Sequence, residues 1–232
     1  MTWVQFSQAH WLAPHAGQSY EALVVLLQDV GDSVLSLTSL VARWTASVPM
    51  TVFTALTEVA PTVSPADGLL LQATYPGDAT SEPAALDRRT QLMAHQLKQQ
   101  LRFYRLDASR LVLVGFGHGG TLALHLLLRW NCAGALTFAA RLVLPLPGAR
   151  GRGTSAPGSV GITGKVRLIE YLDTGRVAHA GMRDVVASLA ARGIDVRGVV
   201  LAGPTLSEEA IRHGGAYLVE LVATAQGGRR LP

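Results

Sequence analysis

Residues 111–120 read Leu-Val-Leu-Val-Gly-Phe-Gly-His-Gly-Gly. An apolar run stops in a glycine-rich turn, and a helical pattern of apolar positions starts at Thr121. A short, continuously apolar run of this kind reads as a strand covered on both faces. A strand that turns directly into a helix is one half of a crossover, the connection that parallel strands require. These ten residues therefore confine the chain to folds built from parallel strands and covering helices.

The rest of the sequence alternates in the same way. Strands are predicted over Leu23–Leu27, Val52–Leu56, Arg110–Val114, Ala135–Ala139, Val166–Tyr171 and Val196–Leu201. Helices are predicted over Leu35–Ser47, Pro83–Tyr104, Thr121–Trp130, His179–Arg192 and Glu208–Ala223, with Ser207 as N-cap of the last. The turn Gln28–Ser33 follows the first strand. The stretch 57–82 carries Pro61, Pro65, Gly68, Pro76 and Gly77 and reads as mostly loop. Such alternation implies a doubly wound, mostly parallel sheet flanked by helices. We expect one domain over residues 1–232, with an N-terminal segment 1–21, a Gly/Pro-rich surface loop 145–164 and a tail 225–232. Trp44, Phe103 and Tyr217 are expected in the core.

With 49% hydrophobic and 16% charged residues, the chain has the composition of a well-buried globular protein. Its formal net charge of +4 comes from cations scattered along the sequence, not from a basic stripe interleaved with aromatics. Nucleic acid is therefore not an expected partner, although weak attraction to anionic surfaces is compatible with the charge. The single cysteine, Cys132, excludes an intrachain disulfide and reads as a buried thiol. Residues 121–147 are interrupted by His125, Arg129, Asn131 and Arg141, so no membrane span is expected. With no secretory signal pattern at the N-terminus, a cytoplasmic location is the expectation.

Two motifs fit the turn. Gly115-Phe116-Gly117-His118-Gly119 has the frame of the G-x-S-x-G nucleophile elbow, with glycine where the serine would stand. Gly115, Gly117 and Gly120 also satisfy the G-x-G-x-x-G dinucleotide fingerprint, and Arg141 lies where a 2′-phosphate partner could stand. No second His, Cys or carboxylate lies at ligand spacing from His118, so no metal site is expected.

Four stretches give the chain a resemblance to the carboxylesterase/phospholipase branch of the α/β-hydrolase superfamily, the branch that includes acyl-protein thioesterases. Ala22–Ser33 resembles its early strand and His-Gly-x-Gly-Asp loop. Leu106–Gly120 resembles its elbow, Val166–Val177 its acid-bearing strand and loop, and Gly193–Leu218 its last strand, histidine loop and closing helix. The resemblance implies an α/β-hydrolase fold and a Ser, Asp, His order of catalytic residues. On the matching positions, however, the serine is Gly117 and the acid is Gly175, or Thr174 with a one-residue shift. The histidine is Pro204, or Thr205 with a slip. Asp173 is close to the acid position but early. The early His-Gly pair is Gln28-Asp29, and the residue after the nucleophile is His118.

Acyl transfer by such a triad needs a nucleophile, a base within hydrogen-bond reach and a group that orients the base. Gly117 and Gly175 carry no functional side chain, and Pro204 cannot titrate. His179 and His213 fall in predicted helices and read as ordinary helical residues. What the resemblance leaves intact is backbone: the N–H groups of Val30 and His118 as an oxyanion-hole pair, beside Gln28 and Asp29, with Asp32 organising its loop. The expected function is that of a pseudoenzyme, a non-catalytic homologue binding a small acyl or anionic ligand or a protein partner. The alternatives are a weak or non-standard carboxylic ester or thioester hydrolase and, less favoured, a dinucleotide-binding protein. No cofactor is expected under the first reading, and a homodimer is expected from the resemblance.

Overall fold

We describe the protein from a computed structural model that covers residues 5–12, 19–28, 34–59, 83–140, 164–172, 178–202 and 206–227. Seven strands form one sheet: β1 (Gln5–Leu12), β2 (Ala22–Gln28), β3 (Thr51–Val59), β4 (Leu111–Phe116), β5 (Gly134–Phe138), β6 (Lys165–Leu172) and β7 (Asp195–Ala202). Their order is β1-β3-β2-β4-β5-β6-β7. The six strands from β3 to β7 in that order run parallel, and β1 pairs antiparallel with β3 at one edge.

The helices are α1 (Val34–Thr45), α2 (Pro83–Tyr104), α3 (His118–Leu127), α4 (Ala178–Ala190) and α5 (Glu208–Ala225). Alternation along each strand splits the core into two layers. Leu23, Val25, Leu27, Leu113 and Leu168 pack with Met93 and Leu97 of α2, with α3, and with Val185 and Leu189 of α4. Val24, Leu26, Val114, Phe138 and Ile169 pack with Leu37, Leu40 and Trp44 of α1 and with Leu218 and Leu221 of α5. Burying an apolar side chain of this size contributes about 1.5–3 kcal/mol, so both layers are needed to hold the sheet. From β2 the chain crosses to β3 on one side and then returns past β2 to β4 on the other. Right-handed crossovers in opposite directions place α1 and α2 on opposite faces, as observed. The reversal point lies between β2 and β4, where open α/β sheets bind ligands beyond the carboxyl ends of their strands.

Every predicted element is present, with differences that have local causes. Helix α3 starts at His118, three residues before Thr121, because the turn at Gly117 redirects the chain at once. Arg110 ends a short 3-10 turn (Ala108–Arg110), and β4 extends to Phe116. Gln28 closes β2 and Thr57–Val59 extend β3, so neither belongs to the predicted turn or loop. The N-terminal segment contributes β1, whose sequence lacks clear alternation and whose pairing with β3 defines it. Ala225 ends α5, so the tail begins beyond it. Within that helix, Ser207 accepts the N–H of Ala210 at 3.3 Å, as expected of an N-cap. Phe103 corrects a core expectation: it is 77% exposed. Leu97, Leu101 and Tyr104 take the inward positions of α2, and Phe103 lies about 100° round the helix from Tyr104. Trp44 is buried, donating its indole N–H to the Ile211 carbonyl at 3.0 Å. Tyr217 packs partly buried against the second layer.

Candidate functional site

The site is built where β4 becomes α3. Gly117 stands between them with φ 53° and ψ −119°, a combination that a residue with a Cβ adopts only under strain. Its N–H donates to the Phe138 carbonyl at 2.9 Å, and its carbonyl accepts the Gly120 N–H at 3.1 Å as the helix begins. The turn is thus tied to β5 on one side and to α3 on the other. Glycine holds this geometry without the steric cost, and it leaves the tip of the turn bare of side chain.

The neighbouring glycines are required by contact. A Cβ on Gly119 would lie 2.1 Å from the Leu27 carbonyl oxygen. One on Gly115 would lie 2.4 Å from the Gly119 carbonyl oxygen, and one on Gly120 2.8 Å from the Ala140 Cβ. The first turn of α3 is therefore pressed against the ends of β2 and β4, over the reversal point. Helix N-termini carry partial positive charge, and this one points its dipole at the bare turn. These contacts and the φ of Gly117 account for all three glycines of the dinucleotide pattern, leaving that reading without independent support; Arg141 lies outside the described residues.

Of the residues singled out from sequence, the structure brings three together. Leu27 pairs with Gly115, so Gln28 at the end of β2 follows beside Phe116, next to Gly117 and His118. Gln28 is buried and His118 half-buried. Asp29, Val30, Asp32, Asp173, Thr174, Gly175, Pro204 and Thr205 lie outside the described residues. Phe116 stacks on Phe138 with ring centroids 4.9 Å apart, forming an aromatic floor on the other face of the sheet from α3. His213 lies within α5, 3.9 Å from Glu209 one turn away and beside Tyr217, as a helical surface histidine would. His179 lies in α4. Cys132 is buried, and burial pushes its thiol up to about 12, so it offers no thiolate as a substitute nucleophile. Among the described residues no group of three His, Cys, Asp or Glu side chains is arranged to hold a metal ion, and no helix is long and apolar enough to cross a membrane.

One group near this end of the sheet was missed by sequence reasoning. Glu170 sits half-buried on β6, its carboxyl bonded by the Ala140 N–H. Burial pushes its pKa up to about 7, against the lowering effect of that hydrogen bond. Its Oε1 has no hydrogen-bond partner among the described residues. The signal was a carboxylate inside the apolar run Leu168–Leu172. The same strand carries Arg167, which is fully buried and faces α5. Its guanidinium donates to Glu220 at 2.6 and 3.0 Å, to the Asp195 carboxylate at 2.9 Å and to two backbone carbonyls. With all five donors used, Arg167 anchors α5 to the sheet.

The fold is shared with known hydrolases. The chain superposes on esterase PE8 with a TM-score of 0.66 and 21% identity, over 94% of this chain and 99% of that one. A phospholipase/carboxylesterase from Dyadobacter fermentans superposes with a TM-score of 0.65 and 15% identity, over 94% and 97%. A Bacillus cereus carboxylesterase gives 0.61 and 13%, over 94% of each chain. No protein-family model matches the sequence, and no curated protein matches it.

Proposed function

The chain has the α/β-hydrolase fold, and from that premise we propose that it is a non-catalytic homologue of carboxylesterases, holding a small acyl or anionic ligand above the elbow. The observation that carries this reading is Gly117 at φ 53° and ψ −119°: the elbow's geometry is kept while its tip carries no atom able to attack a carbonyl. The sequence positions matching the acid and base, Gly175 and Pro204, point the same way. The start of α3 and the N–H groups expected of His118 and Val30 supply the polarity for an oxygen-bearing ligand. A homodimer is part of the same proposal, from the resemblance.

Under the alternative, a weak or non-standard ester or thioester hydrolase, Glu170 would be the group able to exchange a proton at neutral pH. It supplies no nucleophile, so water would have to attack directly. Ligand occupancy is tested by melting the protein with increasing butyrate or phosphate. A saturable rise in Tm is expected from binding to the folded state. No rise with either would remove the ligand from the proposal. Absence of catalysis is tested by turnover of short esters.

A further inference from the structure

Among the described residues, no helix or strand packs on the outer face of helix α2. Its inner face is fixed by Leu86, Met93, Leu97 and Leu101 in the first core layer. Residues 88–106 contain five Arg or Lys residues and no carboxylate. Arg88 and Arg102 project from the exposed side of α2, Lys98 is exposed on its flank with its ammonium 5.6 Å from the Trp130 ring centroid, and Arg105 is exposed just beyond the helix end. On that side also lie Leu92, 44% exposed, and Phe103, 77% exposed, two of the three large apolar side chains exposed among the described residues. Eleven residues apart, they fall within about 20° of each other round the helix and about 16 Å apart along it. Arg88, His95, Gln99 and Arg102 border them on one flank, with the His95 and Gln99 side chains within 3.0 Å of one another. In sequence these cations look scattered; the helix gathers them.

We propose that this face docks on an anionic lipid surface, with Phe103 and Leu92 entering the headgroup–acyl boundary and the cations meeting lipid phosphates and carboxylates. Beyond Asp87, which pairs with Arg129 at the start of the helix, the charge is of one sign from Arg88 to Arg105, which complements an anionic bilayer. The face is a convex helix with two separated apolar projections, a shape that suits a deformable planar surface. An amphipathic helix lying in the interface gains from both contributions, apolar insertion and attraction of the cations. The proposal is independent of the elbow: Tyr104, at the end of α2, is followed by the 3-10 turn that enters β4 at the amino ends of the parallel strands, whereas the elbow lies at their carboxyl ends.

The experiment is co-sedimentation of the full chain with vesicles of phosphatidylcholine alone and of phosphatidylcholine with phosphatidylserine in a three-to-one ratio. Binding is expected to the second and not the first, and to weaken as salt is added. L92S/F103S should abolish sedimentation. R88Q/R102Q should weaken it by roughly fivefold for each guanidinium removed. Both variants change exposed positions, so an unchanged Tm is the check that they remain folded. Equal binding to both vesicles, no binding to either, undiminished binding by the folded variants, or binding of duplex DNA with no binding to anionic vesicles would each overturn the proposal.

Discussion

The backbone N–H of Gly117 donates to the carbonyl of Phe138 at 2.9 Å, so the turn that matches a nucleophile's position is anchored to the next strand while carrying no nucleophile. Phe138 is itself buried and stacked between Phe116 and Trp44. The shape of the elbow therefore rests on core packing and backbone bonding, which do not depend on whether the tip is reactive.

Gly117→Ser should leave the fold intact but strained. A side chain at this φ and ψ costs about 1–3 kcal/mol, and each kcal/mol lowers Tm by about 2–4 °C in a chain of this size. The variant should show no useful esterase activity, because the positions matching base and acid are Pro204 and Gly175. Thermal melting and an ester assay on the same preparation check both halves. Substantial activity would show that another imidazole and carboxylate complete a triad.

His125 should make the protein sensitive to acid. It is buried in α3, and neither ring nitrogen has a hydrogen-bond partner among the described residues. Burial, assisted by Arg129 and opposed by Asp87, lowers its pKa to about 4. The unfolded chain then takes up a proton below about pH 6.5 that the folded chain refuses until about pH 4. Stability is lost as pH falls through that window, by up to about 3 kcal/mol at its lower end. His125→Leu should raise stability at every pH, and more at pH 5 than at pH 8. Denaturant unfolding at the two values measures the difference; an equal gain at both would contradict the neutral, buried assignment.

Glu170 has the opposite sign. Its carboxyl is raised, so the folded chain holds a proton that the unfolded chain releases above about pH 4.5, and stability is lost as pH rises toward about 7. Glu170→Gln should flatten that part of the stability profile. A profile unchanged between pH 4.5 and 7 would show that the carboxyl is solvated in the folded state.

Glu220→Ala should be among the more damaging substitutions outside the elbow. It removes two of the hydrogen bonds to the fully buried Arg167 and leaves that charge with Asp195. Glu220 is itself partly exposed and Asp195 still faces the guanidinium, so the cost is that of lost charge-assisted hydrogen bonds, about 1.5–3 kcal/mol. Arg167→Met, which removes the charge itself, should cost less. Urea unfolding of the two variants ranks them.

Much of this fold is legible in sequence because its central strands are buried on both faces and read as continuous apolar runs. Leu23–Leu27 and the run before Gly115 show it most clearly. Helix α3 begins earlier than its periodicity suggests because His118, Gly119 and Gly120 are poor helix formers held in place by close contact with Leu27 and Ala140. Phe103 misleads because an aromatic residue beside an inward-facing Tyr104 reads as core when helix phase is not tracked. Glu170 and Arg167 were overlooked because an apolar strand with two charges still reads as a strand, although a buried charge must find partners or shift its pKa. The elbow was legible from its glycines; Val30, Gly175 and Pro204, outside the described residues, keep their roles as proposals.

An elbow without a nucleophile should not hydrolyse esters, and turnover of short p-nitrophenyl esters by the purified protein, beside a heat-denatured control, measures this outright. Rates equal to the control are expected. Turnover well above it, unaffected by a fluorophosphonate that would inactivate a contaminating serine esterase, would contradict it.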